Sequence, residues 1–400
     1  MRRRLRAWVL VGAGLLAAGA GPAYGAGVPS AETAAGSVQY TVQYTVQDLG
    51  TLGGTRSRAT AIEGDTVVGS SWTSGDAAEH AFAYDLRRRT MTDLGALGGS
   101  SEAVDIEGDH VVGQSELSAD GPTHGFAYDL RTGRLVDIGT LGGSGSRVTG
   151  LSGDTVVGTS SLAGDAVTHA FAYSLRTRVM TDLGSLAGPS GVSSAAAVSG
   201  AIVVGTSSVP DAPTTTHGFA YNLRTRRTTD LGAPGGGSST ANAISGSTVV
   251  GGSRTTANRR TGYAYDLRTG VRTDLGSRFL TAQLISGSTV VGGDGLLASS
   301  FDLTTHTSAV IGSGRGVTEV KQISGNAIVG DNFAPNSFAF AARADTGDFT
   351  YLASLGGRNS YAEQVNSQGV VAGSAALAAP DPSTANGPFH ASVWVPHTVE

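Results

Sequence analysis

Short runs of alternating apolar and polar residues, four to seven long, follow one another along nearly the whole chain. The first complete set occupies residues 58–63, 66–70, 80–86 and 91–95, termed here segments A, B, C and D. Val, Thr, Tyr and Phe fill them, and Gly, Asp, Asn and Ser bound them, which predicts short strands joined by hairpins. No stretch beyond residue 26 sustains a helical period. In segment C, His80, Phe82, Tyr84 and Leu86 share one face, and Ala81, Ala83 and Asp85 share the other. Such a strand presents large side chains to one neighbour and small ones to the next.

The set repeats. The phrase at His80–Leu86 returns at residues 124–130, 169–175, 217–223 and 261–267. The glycine closing segment B recurs as Gly69, Gly113, Gly158, Gly205, Gly251, Gly292, Gly330 and Gly373, at spacings of 38 to 47 residues. Repeats of about 40–50 residues suit a four-stranded propeller blade, and are too long for one coil of most solenoids. There are eight A, B and C segments, but the last C, at residues 390–395, has almost nothing after it. A spare D-like segment, residues 44–50, precedes the first unit. Pairing the two closes the ring and removes its free sheet edges. The fold expected is therefore an all-β propeller of eight four-stranded blades, seven if either short unit, six or seven, is incomplete. Glycine at position 69 and its equivalents suits close backbone approach or a strained turn.

Composition adds a compartment. Arg2, Arg3, Arg4 and Arg6 precede an apolar stretch over residues 7–20, and small residues follow at 23–26. This is the pattern of a cleaved export signal, with an uncleaved anchor as the alternative. The expected organisation is a signal peptide over 1–25, a linker over 26–41, a propeller over 42–396 and a tail over 397–400. Loss of the four leader arginines would leave 23 basic against 32 acidic residues, a formal charge of −9, which disfavours a nucleic-acid partner. Cysteine is absent, so packing and sheet closure must supply the stability that disulfides give many exported proteins. No later segment is apolar enough to span a membrane, and the sequence does not set an oligomeric state.

The signatures Asp48-Leu49-Gly50-Thr51-Leu52-Gly53-Gly54, Val67-Val68-Gly69 and His80-Ala81-Phe82 resemble the HAF family of extracellular repeat proteins. They return at residues 93–99, 137–143 and 182–184, fade in units five to seven, and partly recover at residues 355–357, 370–373 and 390–391. The resemblance implies secretion and a propeller-like repeat, and no particular activity.

Residues occurring once per unit read as structural. His80, His124, His169, His217 and His390 would be spread around a ring and cannot converge on one metal, so a structural role bonding neighbouring backbone is expected. Asp48, Asp93, Asp137, Asp182, Asp230 and Asp274 each precede Leu-Gly and suit bonding to their own turn. No metal, cofactor or catalytic set stands out. The C–D turns gather arginines and the A–B turns acids, predicting a ring of surface ion pairs or a basic ring that binds anions. The opposite face carries variable B–C and D–A loops, where recognition usually resides. Trp72, Arg254, Asn258, Arg259 and Arg260 are the contact candidates there, since interfaces favour Trp and Arg. The function these features support is a secreted, non-catalytic binding propeller that recognises an extracellular protein or glycan through its B–C loop face. The alternative is an extracellular carbohydrate-active hydrolase or lyase with a site in the central channel. Glu102, Glu319 and Glu363 begin A segments and could approach the axis as the carboxylates such a site needs. A structural filler of a spore or sheath is a third reading.

Overall fold

The computed structural model describes residues 41–210, 212–312, 316–333, 336–379 and 387–399. The expected signal peptide and all but the last residue of the expected linker lie outside the described residues. The described chain forms a β-propeller of eight four-stranded antiparallel blades. Among the described residues there is one short 3₁₀ turn and no helix long and apolar enough to cross a membrane.

In blade one the strands Gly53–Glu63, Thr66–Thr73, Glu79–Asp85 and Thr90–Gly95 pair in chain order, A to D. The A strands of neighbouring blades contact one another and so surround the axis. Blades six and seven are complete despite their short units, ending in strands Ser308–Ile311 and Phe349–Tyr351. Blade eight takes its D strand, Thr41–Asp48, from the other end of the chain. That strand pairs along its whole length with Phe389–Val399, from Thr41 opposite Val399 to Asp48 opposite Ser392. The last strand therefore runs to Val399, where a tail beginning at 397 was expected. The reason is the partner strand: it starts at Thr41 and offers backbone groups to residues 397–399.

Every A strand carries a β-bulge opposite the repeated glycine of strand B, as at Ala59/Ala61 facing Gly69 and Val68. The same shift recurs in the other seven blades. A Cβ on Gly69 would lie 2.0 Å from the Arg58 carbonyl oxygen, and on the other seven glycines 1.8–2.2 Å from the equivalent oxygen. Close approach, and not a strained turn, is thus what requires glycine here. The bulge also re-aims the residues after it.

The blades stack large face on small face. Phe82 and Tyr84 of blade one pack on Ala391 and Val393 of blade eight, while Ala81 and Ala83 receive Phe126 of blade two. Burying one such phenylalanine contributes about 2–3 kcal/mol by transfer values.

Two polar devices recur, one within blades and one across the seams between them. The first joins segments C and D: Nδ1–H of His80, His124, His169, His217 and His390 donates to both carboxylate oxygens of Asp93, Asp137, Asp182, Asp230 and Asp48 at 2.8–3.0 Å. The carboxylate only accepts, which sets the tautomer. Each Asp also accepts the N–H of the Gly two residues on, at 2.7–2.8 Å. The turn role expected of Asp is present, but the histidine's partner is this carboxylate. Backbone appears only as a second partner, where His169 Nε2 lies 3.1 Å from the Gly191 carbonyl. Antiparallel C–D pairing brings His and Asp side by side, so the nearest acceptor is the charged one. His390 and Asp48, 342 positions apart, make the same bond across the two chain ends.

The second device was not apparent in the sequence reading. Ser57 Oγ donates to the Gly50 carbonyl and accepts the N–H of Ala391, at 2.5 and 2.8 Å, joining blade one to blade eight. Ser101, Ser146, Ser193, Ser239 and Ser360 clasp their preceding blades in the same way, at 2.5–3.0 Å. These serines are buried, and each satisfies two backbone groups that would otherwise be costly to desolvate.

Candidate functional site

The geometry that fixes the seams leaves clefts between blades on the face carrying the B–C and D–A loops. The one between blades eight and one differs from the rest in its lining. Blade one supplies Arg56, Ser57 and Arg58 from strand A, Trp72 from the end of strand B and Glu79 from the start of strand C. Blade eight supplies Tyr361, Ser374 and Phe389 from its own A, B and C strands. The cleft encloses about 250 Å³. The Tyr361 and Phe389 rings pack with centroids 5.6 Å apart, and both are half-buried, as is Trp72. Trp72 also lines the neighbouring cleft between blades one and two.

The polar groups of the cleft are held. Glu79 accepts a 2.6 Å bond from Ser70 Oγ, and Arg58 pairs with Glu102 of blade two. Beside Arg56, the loop after Trp72 is pinned by Asp76, which accepts both the N–H and the hydroxyl of Thr55 at 2.8 Å. Those two bonds, with a smaller contribution from Arg56, hold the Asp76 carboxyl below its ordinary value.

Arg58 leads from the cleft into the channel. Its position in strand A is occupied in successive blades by Arg58, Glu102, Arg147, Ser194, Thr240, Thr281, Glu319 and Tyr361. The bulged residue two places on is Lys321 in blade seven and Glu363 in blade eight. Charge therefore gathers on the arc of blades seven, eight, one, two and three, while blades four to six contribute neutral Ser, Thr and Asn. Lys321 bonds Glu319 at 2.9 Å and stands 4.0 Å from the buried Asp331. Burial pushes Asp331 up to about 7, against a bond from the Ala362 N–H and the attraction of Lys321. Burial likewise raises Glu102 and Glu363, opposed by Arg58 and by Lys321 with Arg58 respectively. Burial works against the Lys321 charge, but Glu319, Glu363 and Asp331 together hold its pKa above the ordinary value. In blade two, burial pushes Asp105 up to about 6.

The candidate contact residues separate into two places. Trp72 lines the cleft. Arg254, Asn258, Arg259 and Arg260 lie on the B–C hairpin of blade five, on the opposite side of the ring. That hairpin closes on itself: Thr255 N–H donates to the Arg259 carbonyl and Asn258 N–H to the Thr255 carbonyl, both at 2.9 Å. Its arginines are exposed. Glu102, Glu319 and Glu363, which the sequence left unconnected, are brought to one arc of the channel, each facing a cation. On the far face Arg87 pairs with Asp65 at 2.6 Å and Arg176 with Asp154 at 3.8 Å. Glu63 and Glu107 instead accept the N–H of Gly108 and Gly153 in the next blade's A–B turn, so part of the acidic ring is structural.

Arg56, Tyr361 and Phe389 were missed in the sequence. Their signal is departure from the repeat. Tyr361 is the one aromatic at a position otherwise held by charged or hydroxyl residues. Phe389 precedes His390 where the other His-bearing units have Glu79, Thr123, Thr168 and Thr216.

Among solved structures, the chain is similar to dipeptidyl peptidase 4 of Porphyromonas gingivalis, with TM-score 0.54 and 11% identity over 83% of this chain and 57% of that one. It is similar to a prolyl endopeptidase, with TM-score 0.54 and 9% identity over 82% of this chain and 55% of that one. An oligogalacturonate lyase in complex with manganese matches at TM-score 0.46 and 14% identity, over 74% and 93% of the two chains. These are propeller proteins. At such identities the likeness concerns the fold alone, and the chain spans little more than half of either peptidase. No family model and no curated protein matches the sequence.

Proposed function

We propose that the chain is a secreted, non-catalytic binding propeller of the HAF type that recognises an extracellular protein or glycan through its B–C loop face. The observation that carries this reading is the cleft at the closing seam. Trp72, Tyr361 and Phe389 stand half-buried there beside two guanidinium groups and a carboxylate. Aromatic and arginine side chains in a concave, rigid setting are what binding sites concentrate. The leader pattern supports export, and the formal charge disfavours nucleic acid. Binding of the purified protein to an array of envelope polymers and secreted proteins tests the reading. Saturable binding is expected, and no saturable partner would overturn it.

A channel enzyme is the second reading, favoured by the gathering of Glu102, Glu319, Glu363, Asp331 and Lys321. Two facts rank it lower. Glu102 and Glu319 are already committed to Arg58 and Lys321, and the buried Asp331 accepts a backbone N–H. Paired groups in a structural network need no substrate to explain them. Glycan cleavage by the wild type that Glu102→Ala and Glu363→Ala abolish would establish the enzyme. Unchanged cleavage in both variants would reject this assignment.

A further inference from the structure

We infer that the cleft between blades eight and one is a saccharide site that takes an uncharged pyranose unit; this deepens the binding reading above and rests on it.

Size is the first argument. About 250 Å³ lies just below the span of roughly 300–1,000 Å³ usual for small-molecule sites. The space suits one ring-sized unit and not an extended segment of chain. An extended peptide would also need a free sheet edge to add to. Strand Thr66–Thr73, which carries Trp72, lies between two partners, and strand Phe389–Val399 is paired on one side from Phe389 and on the other from Ser392, so no edge of strand length is left at the cleft.

Chemistry is the second. A pyranose is amphipathic, with a face of C–H groups and an edge of hydroxyls. The cleft matches it with the apolar rings of Trp72, Tyr361 and Phe389 on one hand and Arg56, Arg58, Glu79 and Ser374 on the other. Aromatic side chains combine a large apolar surface with low flexibility. Hydroxyls donate and accept, so they can use a carboxylate and a guanidinium at once.

Charge balance is the third, and it selects the neutral class. Arg58 is neutralised by Glu102, and Arg56 sits beside Asp76. Glu79 adds a further negative charge at the wall. Two cations face three carboxylates, so a uronate or phosphate would meet no net attraction and would face Glu79 directly. A neutral sugar pays no such cost.

The test titrates the full protein with neutral gluco-, manno-, xylo- and chito-oligosaccharides, with oligogalacturonides as the anionic counterpart and secreted-protein peptides as the polypeptide one. The readouts are calorimetry and the fluorescence of Trp72 in a Trp8→Phe/Trp394→Phe background, which leaves it the one tryptophan of the chain. Expected is binding of at least one neutral series that varies less than twofold between 50 and 500 mM salt, with a change in Trp72 emission. Trp72→Ala should weaken it at least tenfold and Glu79→Gln severalfold, at unchanged melting temperature. Arg259→Ala should leave it intact. Preferred binding of oligogalacturonides or peptides would overturn the sugar assignment and leave the loop-face reading standing. Neutral-sugar binding that survives both Trp72→Ala and Tyr361→Ala would overturn the site. Absence of any binding, with no partner on the array either, would remove both readings.

Discussion

The closing seam, between blades eight and one, and the seam between blades five and six do the same structural work with different parts. At the closing seam the repeat is intact: His390 bonds Asp48, and Ser57 clasps Ala391 and Gly50. At the other, His is replaced by Thr261, whose hydroxyl bonds Asp274 at 2.7 Å. The clasping serine is replaced by Leu280, and the Gly262 N–H turns to the Phe279 carbonyl at 2.5 Å. Blade six has Ser299 where blades one to five and seven carry an aromatic, and the Phe279 ring, 1% exposed, packs over Gly292 instead. One loop residue thus replaces a clasp and a core ring. The lesson is that the repeated His, Asp and Ser are interchangeable structural parts. What the closing seam has beyond them, namely Trp72, Tyr361, Phe389 and Arg56 with a charged channel arc below, is left for function to explain.

The largest expected effect breaks the substitute. Phe279→Ala should cost about 3–5 kcal/mol, as for other buried aromatics, measured by denaturant unfolding. Adding Ser299→Phe should restore part of it if Phe279 fills the place of the missing ring.

Next, the charged arc and the neutral blades four to six should differ in their response to pH, because the raised carboxylates Asp331 and Asp105 belong to the arc. The folded pKa of Asp331, about 7, exceeds its ordinary value of 3.8. The stability linked to its proton is complete below about pH 4 and is lost as pH rises through about 7. Asp105, at about 6, acts in the same direction. Asp331→Asn should flatten the stability curve between pH 4 and 7 by on the order of 2–4 kcal/mol. A curve unchanged by the substitution would place the titration elsewhere.

Ser57→Ala and Ser239→Ala should each cost about 1–3 kcal/mol, since each leaves a buried N–H without a partner. Amide exchange should then quicken at Ala391 and Gly218 respectively. The smallest effect is expected for His217→Thr, below about 1 kcal/mol, because Thr261 already makes that bond one blade on.

The sequence made closure legible because the missing last strand and the spare first one are both visible as segments. It made the close approach at Gly69 legible as one of two reasons for a repeated glycine, and the once-per-unit recurrence of His and Asp through their periodicity. The histidine's partner was not legible, because it depends on C–D register. The serine clasps were hidden because each joins two blades and Ser is also ordinary turn vocabulary. Phe279 was hidden because its ring serves a strand it does not belong to. The cleft was least legible of all. Trp72 stood out by rarity, but Tyr361 and Phe389 lie some 300 positions away and differ from the repeat where attention goes to what recurs.

The central claim is that recognition sits at the closing seam and not on the arginine-rich hairpin across the ring. One array measurement compares it directly, with Trp72→Ala/Tyr361→Ala beside Arg254→Ala/Arg259→Ala/Arg260→Ala, both against wild type. The account predicts that saturable binding falls at least tenfold in the first variant and stays within twofold in the second. Loss confined to the second variant would contradict it.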